Sequence, residues 1–425
     1  MNLVAELLER NLIQDIMPGT EEQLLKEMTS GYVGFDPTAD SLHVGNLVPI
    51  TMLMRLQRAG HKPYALVGGA TGMIGDPSGK SAERNLLDLA TIQYNIDCQR
   101  KQLERFIDFH SDAPNAAVMV NNYDWFKEFS FLEFIRDIGK HISVNYMMAK
   151  DSVKNRLETG MSFTEFSYQL IQGYDFMHLN KAHNVKLQMG GADQWGNITT
   201  GTELIRRKGG GDAFAFTCKL ITKSDGSKFG KSESGNVWLD RNKTTPYEFY
   251  QFWINMPDAD AAKMALVFSF KPVAEILAVT EEHAHAPQER KLQKMLADEL
   301  TLLVHGQADL DFAKQATEKL FGKDPVAALK SLDEQELLAA MSGVNQVNGN
   351  RSALTEGIDL LSYLVETGLF ASKGEAKKML QGGGVSINKA KVTALDFKLN
   401  ETHLLNDKYI LLQKGKKEFT LAIFG

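Results

Sequence analysis

The chain has 425 residues, 43% hydrophobic and 24% charged, a globular composition long enough for two or three domains. Its two cysteines, Cys98 and Cys218, form no CxxC pair, which argues against a disulfide framework or thiolate metal centre, and no apolar run approaches the ~18 residues of a membrane helix. The net charge of -6 speaks weakly against nucleic acid, yet from Arg351 onward 11 Lys and Arg face 8 Asp and Glu, so a basic tail follows an acidic body.

Residues 1–17 read as an amphipathic helix with Leu3, Leu7 and Leu8 on one side. Glu6 and Glu9 interrupt any apolar core there, which is unlike a signal peptide. Over the first ~220 residues short β-rich runs alternate with helical patterns, the signature of a parallel α/β sheet. Strands are expected at Gly31–Phe35, Pro63–Gly69, Ala117–Asn121 and Val185–Met189, with helices from about Leu47 and after Gly191. From Thr245 to about Phe321 the pattern turns helical, with one long run over Pro287–His305. Ser342–Ser352 is polar and aromatic-free and reads as a linker to a separate small unit.

The first chemical constellation is Gly34-Phe35-Asp36-Pro37-Thr38, continuing to His43-Val44-Gly45-Asn46, in the loop that leaves the first strand and enters a helix. Open α/β sheets bind nucleotides at such places, where small residues admit phosphates to the backbone and a helix offers its positive end. His43 supplies a donor over a phosphate chain, and Gly45 leaves room for it. Alone, the segment reads equally well as a strand-loop-helix turn with a capping histidine. The second constellation is Lys228-Phe229-Gly230-Lys231-Ser232, inside a stretch of Ser, Gly, Lys and Asp with almost no apolar anchor. A mobile loop with two lysines three apart can close over a triphosphate, although many such loops are only solvated basic runs.

A third set lies on a mostly apolar helix over Ser162–Leu179, where Tyr168, Gln172 and Asp175 share one face at i, i+4 and i+7. A polar stripe on a buried helix must meet polar partners or a polar cavity, because an unpaired buried group costs ~1–3 kcal/mol. Two more stretches carry glycines with polar residues: Val67–Arg84, holding Asp76, Lys80 and Arg84, and Gln188–Asn197, holding Gly191, Asp193 and Gln194. Asp193 reads at least as an N-cap. Lys80 and Arg84 are also compatible with a solvated helix start. In the tail, Lys373, Lys377 and Lys378 lie at helical spacing, suited to phosphates or to an ordinary basic face.

Together these residues resemble the bacterial-type tyrosyl-tRNA synthetases. His43-Val44-Gly45-Asn46 is similar to the HIGH signature of class I aminoacyl-tRNA synthetases, with Asn46 in place of the second histidine. Lys228–Ser232 is similar to the KMSKS loop in the KFGKS form of tyrosyl enzymes, and the tail resembles a ribosomal S-four-type RNA-binding module. The resemblance covers the whole chain and is dense from Tyr32 to Asn255, including NNYDW at Asn121–Trp125. It implies an α/β fold: a Rossmann-like parallel-sheet catalytic domain over 1–222, a loop and connection over 223–244, an α-helical anticodon-side domain over 245–340, a linker over 341–352 and an α+β RNA-binding module over 353–425.

The same resemblance implies that Tyr32 and Asp175 hold a substrate tyrosine's phenolic hydroxyl, that Asp76, Tyr168 and Gln172 meet its ammonium, and that Gln194 meets the tyrosyl group. ATP, with Mg2+, is expected against Gly34, Asp36, Thr38, His43, Gly45, Asn46, Gly191, Asp193, Lys228, Lys231 and Ser232. Lys80 and Arg84 are expected to assist pyrophosphate release or the tRNA end, and Lys373, Lys377 and Lys378 to contact RNA. No resident metal or tightly bound cofactor is expected. The implied partners are tyrosine, ATP and tyrosine tRNA, with a second copy in a homodimer, in the cytoplasm. Tryptophanyl enzymes share fold and signatures; the Tyr/Asp pair and the terminal module favour tyrosine.

Overall fold

The computed structural model spans residues 1–425 and describes all but Met1, 79–86, 155, 157–159, 227–228, 233–234, 322–324, 342–343 and 416–417; of 231, 232, 319–321, 325 and 335 only the backbone is described. The chain divides into two compact units, 1–243 with 253–304, and 244–252 with 305–425.

Unit one is built on a six-stranded sheet of β1 (Ile13–Ile16), β2 (Ser30–Phe35), β3 (Lys62–Val67), β4 (Val118–Asn121), β5 (Val185–Gly191) and β6 (Phe214–Cys218), ordered β1-β6-β5-β2-β3-β4. All neighbours run parallel except β1, which lies antiparallel on β6 at the edge. Strands such as Lys62–Val67, buried at all but the first residue, carry the near-continuous apolar runs that a sheet covered on both faces requires. The chain builds β2, β3 and β4 outward on one side and then returns to place β5 and β6 on the other. The order therefore reverses between β2 and β5, and the crevice outside their carboxyl ends is the natural ligand site of such a sheet.

The helix Phe163–His183 starts at the expected place, with the Ser162 side chain accepting from the Glu165 N–H, and runs on to a left-handed Asn184. It packs on the helix Trp195–Arg207 through two glycines. A Cβ on Gly173 would lie 3.0 Å from Thr200 Cγ2, and one on Gly201 would lie 2.8 Å from Phe176 Cβ, so the helices approach closely only because both are bare.

The amino-terminal reading needs correction. The helix stops at Glu9, Asn11 takes a left-handed φ of 57°, and β1 follows. Two buried arginines tie this end down. Arg10 donates to the carbonyls of Leu266, Ser269 and Lys271, and Arg55 to those of Val267 and Ser269, where the helix Asp258–Phe268 ends. Glu6 bonds both guanidinium groups. Burial first, and then Arg10, pulls the Arg55 pKa down to about 10, still charged at neutral pH.

Unit two contains a five-stranded sheet of β9 (Asn345–Gly349), β11 (Val385–Ile387), β12 (Ala390–Val392), β14 (Tyr409–Lys414) and β15 (Glu418–Phe424), ordered β12-β11-β14-β15-β9. Short pairs are formed by β7 (Lys231–Ser232) with β8 (Gly235–Asn236) in unit one, and by β10 (Ile358–Asp359) with β13 (Lys398–Leu399) here. The helices Arg351–Glu356, Leu360–Glu366 and Lys373–Gln381 accompany a core that includes Leu354, Leu364, Phe370, Leu380, Leu412 and Phe424. Two expectations change. The stretch read as a linker contains β9, which runs parallel to β15 from Asn345 opposite Thr420 to Gly349 opposite Phe424. Gly349 is required there, since a Cβ would meet the Phe424 ring at 2.3 Å. Of the helical segment expected as one domain over 245–340, residues 253–304 cluster with unit one and the rest with unit two.

Arg55 carries the amino-terminal anchorage, and Arg55→Met should expose its cost. The change takes the guanidinium from the Val267 carbonyl and leaves Glu6 and the Ser269 carbonyl with Arg10 alone, a loss of charge-assisted hydrogen bonds that should cost roughly 1.5–3 kcal/mol. Urea unfolding of the full chain, followed by circular dichroism, should show the transition of unit one shifted to lower denaturant; an unshifted midpoint would mean that packing alone holds this corner.

Candidate active site

The crevice floor is set by where β2 and β5 end. Asp36 follows β2, and its two oxygens accept from Tyr168 Oη at 2.9 Å and Thr71 Oγ1 at 2.7 Å. Gly68 makes this approach possible, because a Cβ there would lie 2.4 Å from Asp36 Oδ1. Gly34 and Thr38 are exposed above it, Thr38 turning back so that its N–H donates to the Asp36 carbonyl at 2.8 Å. Expected among the ATP contacts, Asp36 here forms an inner wall that fixes Tyr168.

Deeper, the Asp175 carboxylate is buried and accepts from Asn122 Nδ2 at 3.1 Å and Trp125 Nε1 at 2.9 Å. Asn122 is itself pinned, accepting from the Ala70 N–H at 2.7 Å and donating to Thr71 Oγ1 at 3.2 Å. Burial pushes the Asp175 pKa up to about 8 even though both donors favour the ion, and the nearby Asp36 charge adds to the rise. Tyr32, on β2, is 1% exposed, and its Oη has no hydrogen-bond partner among the described residues. Burial and then the charge of Asp175 raise its pKa well above the phenol range. A buried hydroxyl left without a partner demands an explanation in a native fold.

The third acidic group stands on the opposite wall. Asp76 accepts from Gln194 Nε2 at 2.7 Å and from the Ser78 N–H at 2.9 Å. Asn197, 2% exposed, gathers the surrounding oxygens through Nδ2: Gln172 Oε1 at 3.0 Å, Gln194 Oε1 at 3.2 Å and Ser78 Oγ at 3.3 Å. Three acceptors compete for two hydrogens, so one of the three is left to another donor. The helical stripe Tyr168, Gln172 and Asp175 thus meets a continuous polar lining. Gly190 and Gly191 end β5 beside it; a Cβ on Gly191 would lie 2.6 Å from Asp193 Oδ1. Asp193 lies inside the short 3-10 turn Ala192–Gln194, not at the N-cap of the helix Trp195–Arg207, so the capping reading does not apply.

At the crevice mouth, His43 and Asn46 form a reciprocal cap. The Gly45 N–H donates to His43 Nδ1 at 3.0 Å, and the His43 N–H to Asn46 Oδ1 at 3.0 Å. This fixes the His43 tautomer with Nε2 carrying the proton, and leaves the Asn46 amide nitrogen as a second donor. The second constellation is brought against the first. Gly230, at φ 86°, lies so close that a Cβ would be 3.1 Å from Gly45 N, and the Val237 N–H donates to the Gly230 carbonyl at 3.0 Å. Val237 in turn receives the Val44 N–H at 2.9 Å. Phe229 packs against Phe268 and Trp253 with ring centroids 5.6 and 5.8 Å away, and Asp260 takes the Ser224 N–H at 2.8 Å.

Lys80, Arg84 and Lys228 lie outside the described residues, as do the side chains of Lys231 and Ser232. Lys373, Lys377 and Lys378 are exposed on the helix Lys373–Gln381 of unit two, away from its buried Ala376 and Leu380. Sequence reasoning gave no role to Thr71, Ser78, Asn122, Trp125, Asn197 or Asp260. Asn122 and Trp125 lay in a stretch already noted, but two asparagines and an indole after a strand do not announce which acceptor they serve.

Residues 25–322 match the family model for tRNA synthetases class I (W and Y), and residues 336–422 match the Tyrosine--tRNA ligase SYY-like C-terminal domain. The tyrosine--tRNA ligases of Parabacteroides distasonis and Porphyromonas gingivalis strain W83 are 60% and 59% identical to this chain, with 100% of each chain covered. The C-terminally truncated Aspergillus nidulans mitochondrial tyrosyl-tRNA synthetase superposes with a TM-score of 0.66 at 30% identity, covering 75% of this chain and 94% of that one. With a signature turn and loop in contact, a polar crevice at the strand reversal and relatives of this identity over full length, the chain belongs to the tyrosine--tRNA ligases of the class I tRNA synthetases.

Proposed function

We infer that this chain is a tyrosine--tRNA ligase: it activates tyrosine with ATP and then esterifies it to tRNA. The observation that carries the tyrosine reading is the buried Tyr32 hydroxyl without a described partner beside the buried Asp175 carboxylate. A phenol fits between a hydroxyl and a carboxylate; a phenyl ring leaves both unsatisfied.

In this reading Tyr32 and Asp175 hold the phenolic hydroxyl. Asp76, Tyr168 and Gln172 hold the ammonium; the Tyr168 hydroxyl gives its proton to Asp36 and keeps a lone pair to accept with, and Gln172 Oε1 shares Asn197 Nδ2 with two other acceptors. Gln194 faces the tyrosyl group, and Gly191 and Asp193 the ribose. The tyrosine carboxylate attacks the α-phosphorus of ATP, which enters as its Mg2+ complex, and pyrophosphate leaves. A terminal ribose hydroxyl of the tRNA then attacks the activated carbonyl, and AMP leaves. The first step needs charge placement more than acid–base exchange. His43 Nε2–H, the Asn46 amide, Gly34, Thr38 and the Gly45 backbone lie where the triphosphate would pass; Lys228, Lys231 and Ser232 close over it. Lys80 and Arg84 assist the departing pyrophosphate or the tRNA end, and Lys373, Lys377 and Lys378 contact the RNA backbone.

A homodimer is part of the proposal. Phe131, Leu132, Val144 and Phe163 are 60–79% exposed on one face of unit one, beside an apolar cavity of about 730 Å³. Patches of this kind mark protein interfaces. The compartment we propose is the cytoplasm, where Cys98 and Cys218, both free thiols, stay reduced.

Three outcomes are expected. His43→Ala should slow tyrosyl-adenylate formation about 100- to 1000-fold, the range for losing one transition-state donor, while tyrosine affinity changes little; rapid-quench and equilibrium binding separate the two. In tyrosine- and phenylalanine-dependent ATP–pyrophosphate exchange, Asp175→Asn should lose most tyrosine activity, and Tyr32→Phe should narrow the preference by roughly 0.5–1.5 kcal/mol. A wild-type ratio in both variants would remove the tyrosine assignment from this pocket. Finally, replacing Lys373, Lys377 and Lys378 together by Glu should leave exchange intact, weaken tRNA binding and flatten its salt dependence by up to about three units of slope; unchanged tRNA affinity across salt would clear the three lysines of RNA contact.

A further inference from the structure

Beside Trp125 lies a cavity of about 350 Å³, open to solvent and lined by Arg100, Asp124, Trp125, His178 and His183 among others. It adjoins one of the two donors that hold Asp175. Those donors are secured differently. Asn122 has a short side chain, 0% exposed, with three hydrogen bonds of its own. Trp125 is only partly buried, and its indole N–H to Asp175 is the one polar tie described for it.

The indole packs against the core around Tyr32, Tyr64 and Leu66. The His178 ring is stacked on it at 4.5 Å between centroids and 17° between planes. His178 lies three residues beyond Asp175 on the same helix, so the backbone that presents the carboxylate also presents the ring that holds its donor. The cavity gives the indole somewhere to go. A ring bordered by open volume has fewer neighbours to hold its rotamer, so each remaining contact counts for more.

We propose that His178 is a positioning residue for tyrosine selection, clamping the Trp125 indole so that its N–H stays on Asp175. The proposal rests on the reading of Asp175 as the group that meets the substrate hydroxyl. Without the clamp the carboxylate keeps Asn122 alone, and its orientation and charge toward the hydroxyl both weaken. The burial that already lifts the Asp175 pKa to about 8 makes it sensitive to the loss of one donor. ATP binding and the mouth of the crevice are untouched.

The test is tyrosine- and phenylalanine-dependent pyrophosphate exchange on the full chain with His178→Ala, His178→Phe, Trp125→Phe and the double variant His178→Ala/Trp125→Phe. His178→Ala should raise the KM for tyrosine and narrow the tyrosine-over-phenylalanine ratio by about 3- to 10-fold, the scale of one stacked pair or neutral hydrogen bond, with kcat and the KM for ATP near wild type. His178→Phe, which keeps a flat ring over the indole, should restore the ratio. The double variant should discriminate no worse than Trp125→Phe alone, since both changes remove the same donor. A wild-type ratio in His178→Ala, no rescue by Phe, a fall in kcat with the ratio unchanged, or additive losses in the double variant would each overturn the proposal. A wild type with no tyrosine-dependent exchange would overturn the underlying functional reading, and the clamp with it.

Discussion

Three carboxylates share one small crevice, and the arrangement of unit one follows from keeping them there. Asp36, Asp76 and Asp175 are met by Tyr168, Thr71, Gln194, the Ser78 backbone, Asn122 and Trp125, all neutral donors. Neutral donors do not cancel a negative charge, and the Asp36 charge adds to the burial that lifts the Asp175 pKa. Such a site favours a ligand that brings both an ammonium and a hydroxyl proton. The expense of burying these groups is met by a rigid frame: strand ends at a reversal of sheet order, glycines where side chains would collide, and a long helix that aligns three polar residues on one face.

Much of that frame was legible in the sequence. The strands at β2 to β5 announced themselves through apolar runs between turn residues, and the helix bearing Tyr168, Gln172 and Asp175 through its mostly apolar run and i, i+4, i+7 spacing. What escaped notice was polar or short. β1 is four residues of alternating burial on an edge, and β9 is a polar strand held by backbone pairing to β15; in neither do side chains advertise the strand. The partners of the acidic groups were invisible for a different reason. Asn122, Asn197 and Thr71 act across 25 to 119 residues in these bonds, and a hydrogen bond between distant segments leaves no periodic trace.

The turn at His43 and the loop at Gly230 form one assembly. Their contact is backbone against backbone, Gly230 beside Gly45, with Val237 bonded to both segments. Phe229 reaches the other way into Trp253 and Phe268. The helix that ends at Phe268 is capped by the Arg10 and Arg55 guanidinium groups, so a line of packed contacts leads from the amino-terminal helix to the loop expected to meet phosphate.

The parallel pairing of β9 with β15 carries a practical consequence for anyone dissecting the chain. The polar stretch around residue 350 looks like a safe place to cut, yet a fragment ended there retains β9 and forfeits the strand it pairs with. The backbone of those five residues would then be left as an unpaired strand, ready to pair with other chains. A fragment that is meant to stay dispersed has to end before Asn345, while its complement has to begin before it, so that the amino-terminal strand travels with its carboxyl-terminal partner.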